Sequence, residues 1–303
     1  MRSIRIKGSM MIAVLMAIFL AIGCAATKKI TQDILGEGKA LKKKIAFLPI
    51  VNEAGYGGKD FQASARIHLN TFLKRFCDGL YIVDSQKTRN LLKEVPRLPS
   101  GQLDNLALAK LGRSLGLNVV LEESLSGIKC LAEKRGIWGF RDTCMLAQLC
   151  VCVRAYDIET GAILFDEVVQ GEVEVSEDDW HNLKKRSGYR KEIADRLLAK
   201  TTDGICKRIC ELLGDEPWEG YITSCSENTF TLSAGKDVGL AIGDVLEVFG
   251  TSEPIKGSAG QIYLVPGPKI GEIRITKVHR DRAEAIRILG SDLQKSSHVK
   301  LKP

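Results

Sequence analysis

The fold is decided by the stretch Ile45-Ala46-Phe47-Leu48-Pro49-Ile50-Val51, a continuous apolar run. Such a run predicts a strand covered on both faces, because neither face presents polar side chains to water. Pro49 has no backbone N–H to donate, so we expect the strand to end near a sheet edge or a bulge. The run therefore indicates a layered α/β domain that begins at residue 43.

The residues that follow alternate between helical and extended patterns. Apolar side chains recur at helical spacing between Asp60 and Phe76, which predicts an amphipathic helix. The other predicted elements are strands at Leu80–Val83, Asn118–Ile128, Met145–Tyr156 and Ala162–Val175, and helices at Gln86–Glu94, Asp104–Leu115 and Arg190–Leu213. This order predicts an α+β (mixed α/β) fold over residues 43–215, with helices packed on a mixed sheet.

The carboxyl-terminal part has a different pattern. From Trp218 onward, short apolar runs are separated by glycine and no helical stripe is present. The clearest runs are Val245–Phe249, Ile270–Val278 and Ala283–Leu289. Closely spaced strands without helices predict a small all-β barrel over residues 217–303.

The amino terminus reads as an export signal. Three cations precede the apolar stretch Met10–Ile22, which at about 1.5 Å per residue is too short to span the roughly 30 Å hydrocarbon core. Leu20-Ala21-Ile22-Gly23-Cys24 resembles the bacterial lipobox, so we predict that residues 1–23 are cleaved and that Cys24 is acylated. No aspartate follows Cys24, which favours the outer membrane, facing the periplasm. The alternative is an ordinary cleaved signal with a coincidental cysteine.

The charge balance gives little support for nucleic-acid binding. Removal of residues 1–23 takes away three cations and no acid, so the formal net charge falls from +7 to +4. Much of the remaining excess lies near residues 24–42, which we predict to be a flexible tether that keeps the folded body within about 25 Å of the membrane. The lysines there either face lipid headgroups or keep the tether solvated.

Four segments resemble the TolB amino-terminal domain and the CsgG type of domain from curli secretion. Lys44–Ile50 resembles their opening strand, Tyr81–Asp84 their second strand, Ala107–Leu121 their glycine-marked helix with the next strand, and Asp157–Gly161 the following hairpin turn. The resemblance implies a TolB/CsgG-like α/β domain. CsgG-type pores use long membrane-crossing hairpins, whereas the candidate extension here, Lys129–Thr143, is too short and too charged to cross a bilayer.

The carboxyl-terminal part resembles the C-terminal domain of the flagellar assembly protein FlgT. The segments that carry this resemblance are Ala234–Phe249 and Gly271–Val278. FlgT also resembles the TolB-like arrangement in its middle portion, so the two resemblances support each other. We expect no room here for the extra amino-terminal domain of FlgT, because the lipobox and a short tether come first. The resemblance implies an envelope assembly component, with a flagellar role as one option.

We find no sequence motif for catalysis or for a cofactor. The four histidines are scattered, and none stands at metal-ligand spacing. Gly55–Lys59 follows a strand and precedes a helix, where a phosphate cradle could form, but Asp60 stands where a glycine or a hydroxyl would be needed. A turn is the preferred interpretation. We therefore predict a non-enzymatic protein with no cofactor and no bound metal.

The cysteines suggest disulfides. Eight remain besides Cys24, an even number in a compartment that permits disulfides. Cys130 and Cys144 flank the tip of a predicted hairpin and would face one another if its strands are in register, so we predict a disulfide between them. Two further pairs share a strand face and a helix face: Cys150 with Cys152, and Cys206 with Cys210. For these four, buried thiols, two helix–strand disulfides and a four-thiolate metal site all stay open.

The tip of this hairpin combines aromatic and cationic side chains. It reads Lys134-Arg135-Gly136-Ile137-Trp138-Gly139-Phe140-Arg141. Trp and Arg are frequent binding anchors, because they offer large contact areas and charge-assisted hydrogen bonds. We therefore predict that Arg135, Trp138, Phe140 and Arg141 contact a protein or glycan partner. The alternative is a tip that folds back on its own domain.

Together these observations predict a non-enzymatic outer-membrane lipoprotein that acts as an assembly or scaffold component of an envelope machine. The predicted partners are an envelope protein complex and, through the lipid, the membrane. Homo-oligomerisation is a further option. Two alternatives stay open: a CsgG-like, ring-forming secretion component and a regulator of a cell-wall enzyme.

Mass spectrometry of the mature chain tests the lipid anchor. We expect the chain to begin at an acylated Cys24, and we expect Cys24→Ala protein to leave the membrane fraction, because this cysteine is the predicted link to the bilayer. A mature chain that begins elsewhere, or one whose Cys24 sulfur is bare, contradicts the prediction.

Overall fold

The computed structural model describes residues 40–137, 139–185, 188–214, 216–250, 253–258, 260–291, 293–294 and 297–302, with the side chain of Phe140 excepted. Leu41–Lys302 form one compact unit that contains a mixed sheet with helices and a closed barrel. The predicted fold class is confirmed. Within the described ranges, no helix has the length and apolar character needed to cross a membrane.

The elements of the α/β part follow the predicted order. The helices in the described residues are α1 (Gly58–Phe76), α2 (Gln86–Lys93), α3 (Asn105–Leu115), α4 (Glu177–Lys184) and α5 (Lys191–Gly214). The strands of the mixed sheet are β1 (Lys43–Phe47), β2 (Val51–Asn52), β3 (Leu80–Ile82), β4 (Val119–Leu125), β5 (Lys129–Ile137), β6 (Phe140–Asp157) and β7 (Ile163–Glu174). Neither β5 nor α4 was predicted, because β5 is mostly exposed, α4 is exposed at half of its residues, and neither has a clear apolar pattern.

Local sequence signals fix several helix ends. The side chains of Ser85 and Asp104 cap α2 and α3 by accepting hydrogen bonds from the backbone N–H groups of Thr88 and Ala107. Gly116 follows α3 in the left-handed conformation, with φ at 68°. A Cβ at this position would lie 2.5 Å from the nearest Ser233 atom. Only glycine therefore fits where this turn approaches the barrel.

β1 lies in the middle of the parallel part of the sheet. The order is β3-β1-β4-β6, with β3, β1 and β4 parallel and β6 antiparallel to β4. β7 pairs with β6 along its other edge, and β5 pairs with the part of β6 that extends beyond β4. β1 stops at Phe47, before Pro49, and the chain returns to the sheet as β2 beside β4.

Both faces of β1 are covered, as its apolar sequence indicates. On one face, Ile45 and Phe47 belong to the core that includes α1 and α5. On the other face, Ala46 and Leu48 pack in a core with α2, α3 and the buried Tyr221 from the barrel. The barrel therefore completes the second layer on the sheet.

Six strands close the barrel in the order β10-β13-β14-β9-β8-β15. They are β8 (Glu219–Ser226), β9 (Thr229–Leu232), β10 (Val245–Phe249), β13 (Lys269–Val278), β14 (Ala283–Leu289) and β15 (His298–Leu301). β11 (Glu253–Lys256) and β12 (Ile262–Val265) form a separate two-stranded sheet. Leu41, which the sequence analysis placed in the tether, is buried in the barrel core. The folded unit therefore includes residues before 43, where the sequence analysis placed its start.

A disulfide joins the end of α1 to α5 through Cys77 and Cys210. The predicted disulfide between Cys130 and Cys144 is wrong, because both are free cysteines. In the observed register Cys130 lies opposite Ala147, three steps along the ladder from Cys144. The two strands are in register, but that register does not place the sulfurs face to face.

Cys150 and Cys152 on β6 also lie apart from Cys206 and Cys210 on α5. α5 packs on the face of β6 that carries Val151, whereas Cys150 and Cys152 alternate onto the opposite face. Helix–strand disulfides and a four-thiolate site are therefore excluded. The option of four buried thiols is met by Cys206 alone, because Cys150 and Cys152 are only half-buried thiols and Cys210 is bonded to Cys77.

We expect loss of the Cys77–Cys210 disulfide to lower the free energy of unfolding by about 2–5 kcal/mol, because the bond closes a loop spanning 133 residues. Chemical denaturation with and without reductant measures the effect on the wild type and on Cys77→Ala/Cys210→Ala. The matched control, Cys130→Ala/Cys144→Ala, also removes two thiols. Reductant should destabilise the wild type and the control but leave the first variant unchanged. A wild type that is insensitive to reductant would contradict the prediction.

Candidate functional site

The candidate site is a two-stranded arm formed by β5 and β6, defined here as residues 133–144. β6 pairs with β7 as far as Leu146, so its first residues pair only with β5. The β5–β6 register is continuous from the pair Lys129 and Gln148 to the pair Ile137 and Phe140. An isolated two-stranded ribbon is only marginally stable in water, so the arm depends on the sheet at its base.

One face of the arm is tied to the rest of the protein. The pleat places Glu133 and Arg135 on this face. The Arg135 guanidinium lies 3.0 Å from the Glu133 carboxylate and 2.7 Å from the carboxylate of Glu172 in β7. The arm therefore curls towards β7, and this predicted contact residue is engaged within the chain.

The other face of the arm carries cations that are not paired in this way. Lys134 and Arg141 lie on it, both are exposed, and neither forms an ion pair within the part of the chain that the structure describes. At the tip, the Ile137 side chain is 83% exposed. By the same pleat, Ile137 lies on the face that carries Glu133 and Arg135. The arm therefore offers an exposed apolar side chain at its tip and available cations on the opposite face, and both kinds of side chain occur in binding anchors.

The structure describes only some of the predicted contacts. Trp138 and the side chain of Phe140 lie outside the described residues, as does Cys24. The backbone of Phe140 pairs with Ile137 and closes the arm. Arg135 and Arg141, which were predicted to act together, lie on opposite faces. Sequence analysis did not single out Ile137, although an apolar residue among cations and glycines was the available signal.

A buried polar cluster holds the sheet against the barrel. Its ionisable side chains come from three separate segments: Glu159 in the turn after β6, Glu219 in β8, and His298 and Lys300 in β15. His298 Nε2 lies 2.8 Å from Glu159 Oε1, and Lys300 Nζ lies 2.7 Å from Glu219 Oε1. The sequence analysis missed this cluster, because its members are distant in the chain and form no local motif.

The pKa values of the two carboxyl groups in this cluster are shifted in opposite directions from the ordinary glutamate value. Burial, together with the neighbouring Glu159 carboxylate, raises the pKa of Glu219. Burial also acts to raise the pKa of Glu159, but hydrogen bonds from His298 and from the Glu219 carboxyl outweigh it, and the pKa of Glu159 is lowered. The pair therefore shares one proton, which Glu219 donates to Glu159. In the described residues, no three His, Cys, Asp or Glu side chains are grouped so that they could hold a metal ion.

Comparison with known proteins finds similar solved structures but no family. No family model matches the chain, and no curated protein matches it. The solved structures that are similar to it include several lipoproteins. All of these similarities are at low sequence identity.

Three of the similar solved structures show how the coverage and the TM-score vary. A hypothetical protein from Chlamydia trachomatis has a TM-score of 0.40 and 14% identity, covering 58% of this chain and 99% of its own. Lipoprotein GNA1162 from Neisseria meningitidis has a TM-score of 0.30 and 13% identity, covering 47% and 93%. TolB from Acinetobacter baumannii has a TM-score of 0.30 and 13% identity, covering 82% and 47%. The similarities concern the fold alone, and the expected resemblances to FlgT and CsgG stay predictions.

Stability should fall as the pH rises above the ordinary glutamate range. A glutamate in the unfolded chain titrates near pH 4.3, so above that pH the folded protein retains a proton on Glu219 that the unfolded chain has lost. The contribution of Glu219 to the fall is at most about 1.4 kcal/mol per pH unit and ends when folded Glu219 ionises. Glu123, whose pKa is raised by burial to about 7, adds to the fall below that pH. Glu219→Gln keeps an N–H donor towards Glu159 and should reduce the slope by the contribution of Glu219.

Urea denaturation in steps from about pH 5 to about pH 8 measures this slope. Glu216→Gln is the matched control, because Glu216 is exposed and lies three residues away. It should keep the slope of the wild type. Equal slopes for all three proteins would show that Glu219 does not carry the proton.

Proposed function

We propose that this chain is a non-enzymatic, lipid-anchored protein of the outer membrane that faces the periplasm and acts as a scaffold in an envelope assembly. The observation that carries the proposal is the arm, which exposes Ile137 at its tip and Lys134 and Arg141 on the face opposite Ile137. Such a surface suits the holding of a partner. The resemblance to FlgT makes the flagellar basal body one hypothesis for the assembly.

The placement of the arm supports a scaffold role. β6 leads from Phe140 at the arm to Asp157, which precedes the turn that contacts the barrel. The tether joins the folded unit at the barrel, because Leu41 lies in the barrel core and the Lys42 N–H donates to the Val238 carbonyl. The chain thus enters the folded unit at the barrel, whereas the arm lies at the end of β6 that is remote from the turn contacting the barrel. A lipid on Cys24 would hold the barrel end near the membrane and leave the arm to reach a partner.

The charge of the arm favours an acidic partner. Lys134 and Arg141 would pair with carboxylates of a protein surface while Ile137 makes an apolar contact. A glycan with acidic groups would engage the same two cations but would gain less from Ile137. Removal of the Ile137 side chain therefore separates the two classes of partner.

Self-association is a second candidate. The outer edge of β5 pairs with no strand in the described residues, so its backbone is available to an added strand. A second copy of the chain at this edge would build an oligomer, as the ring-forming alternative requires. Light scattering on the full chain in detergent distinguishes a closed oligomer from a monomer.

Shortening the arm tests the proposed function. Replacement of residues 136–141 by Asn-Gly joins Arg135 to Asp142 through a two-residue turn and preserves the register of the remaining pairs. We expect the melting temperature to stay within about 2 °C of the wild type, because the removed residues are not part of the core. We expect the partner contact to be lost. Photocrosslinking in intact cells measures that contact in both proteins, with a photoreactive residue in place of Thr143, which is exposed and shares the face of Lys134.

The control is Ile242→Glu, which changes another highly exposed apolar side chain, on the barrel. It should retain the crosslinked adduct, and mass spectrometry of the adduct identifies the partner. A discrete adduct that persists in the shortened protein would disprove the role of the arm, and so would the absence of any discrete adduct in the wild type.

A further inference from the structure

A cavity of about 300 Å³ opens beyond the carboxyl ends of β1 and β3. It is lined by the segment Phe47–Ile50, where the chain leaves β1, and by side chains of α1 and α2. In open sheets with parallel strands, ligands bind in crevices at this edge. None of the lining residues belongs to the arm or to the barrel, so this cavity is a site distinct from the one described above.

Arg66 of α1 forms the inner wall of the cavity. Its guanidinium lies over the Phe47 ring, 4.2 Å from the centroid, and Nη2 donates to the Leu48 carbonyl at 2.8 Å. Nη1 is buried and has no hydrogen-bond partner within the described ranges. A buried charged donor without an acceptor is unfavourable. The Arg66 side chain lines the cavity, so an anion there would supply counter-charge to this guanidinium.

The neighbouring acids do not neutralise Arg66. The Asp84 carboxylate is engaged by Arg89 at 2.7 Å. Glu123 on β4 interacts electrostatically with Arg66, but its Oε2 has no hydrogen-bond partner among the described residues. Burial raises the pKa of Glu123 to about 7, with Arg66 acting in the opposite direction. Near neutral pH, Glu123 therefore supplies only a partial counter-charge.

A second cation lines the cavity. Lys93, at the end of α2, forms no ion pair in the part of the chain that the structure describes. Because Arg89 and Asp84 neutralise each other, Arg66 and Lys93 give the cavity an excess of positive charge. The segment Phe47–Ile50 supplies an apolar wall opposite these charges.

We propose that this cavity binds an organic anion, in which a carboxylate or phosphate group is held by Arg66 and Lys93 and a compact apolar body lies against Phe47–Ile50. The volume is at the lower end of the range for small-molecule sites, which suits a small metabolite or the end group of a longer molecule. The site does not depend on the proposed scaffold function, since the arm contributes nothing to it.

Binding of small aromatic anions to the full chain tests this site. Saturation-transfer NMR titrations measure phenyl phosphate, benzoate and neutral benzyl alcohol directly. Inorganic phosphate, which lacks the apolar body and has no carbon-bound proton to observe, is titrated as a competitor of bound phenyl phosphate. We expect saturable binding of at least one organic anion, weakened about tenfold or more by Arg66→Gln and about threefold by Lys93→Gln. The relative affinities of phenyl phosphate and benzoate decide between a phosphate and a carboxylate ligand.

The matched control is Arg208→Gln, which removes an exposed arginine on α5 that pairs with Glu167 and should bind like the wild type. If Arg66→Gln does not fold, Ala63→Trp tests the site instead. Ala63 is exposed and lines the cavity, so a tryptophan there would fill the cavity entrance without changing any charge. Ala63→Trp should abolish binding. The proposal is overturned if neither organic anion saturates, if the cavity variants bind like the wild type, or if benzyl alcohol or inorganic phosphate binds as tightly as the organic anions.

Discussion

A buried ion pair between Lys44 and Asp237 holds the sheet and the barrel together. The Lys44 Nζ lies 2.8 Å from the Asp237 carboxylate, and the two side chains are only 6% and 4% exposed. Two charges this deeply buried are tolerated only as a pair, because breaking the pair leaves each of them without water or a partner. Lys44 belongs to the central strand, and its Nζ also donates to the Ser233 carbonyl of the barrel. Sliding of the sheet against the barrel would therefore separate Lys44 from Asp237 and leave two buried charges unpaired.

Asn118, which directly precedes β4, adds hydrogen bonds that join β4 to β1 and to the barrel. Its side chain accepts a hydrogen bond from the Lys44 N–H at 2.8 Å and donates one to the Glu219 carbonyl at 2.7 Å. β4 in turn pairs with β6 over residues 151–157, and β6 continues into the arm. The direction of the arm is thus set at the junction with the barrel. A rigid base of this kind reduces the conformational entropy that a partner has to overcome on binding.

The sequence predicts individual elements better than their assembly. Helix α3 and its ends were predictable, because apolar periodicity, the cap Asp104 and the stop at Gly116 are all local signals. The disulfide between Cys77 and Cys210 depends on the packing of α1 against α5, which no local pattern encodes. The same reason explains the wrong pairing in the hairpin, since its register follows from the sheet around it.

For the candidate sites too, the residue types were visible in the sequence but their arrangement in space was not. The cations of the arm were visible in the sequence, but their distribution over two faces depends on a strand, β5, that was not predicted. Arg66 did not stand out, because an arginine on an amphipathic helix is normally solvated. Its burial follows from the path of the chain at Pro49, which brings the Leu48 carbonyl within reach of the guanidinium.

The pleat of the arm limits how its length can change. Successive residues point to opposite faces, so a single-residue insertion before Lys134 would turn that lysine towards the side that contacts Glu172. Insertion of two residues in each strand keeps the outer face intact and lengthens the arm by about 7 Å. We therefore expect natural or engineered relatives that preserve the contact surface to have arms whose strands differ in length by an even number of residues. The distance that the arm can span to a partner would then change in steps of two residues per strand.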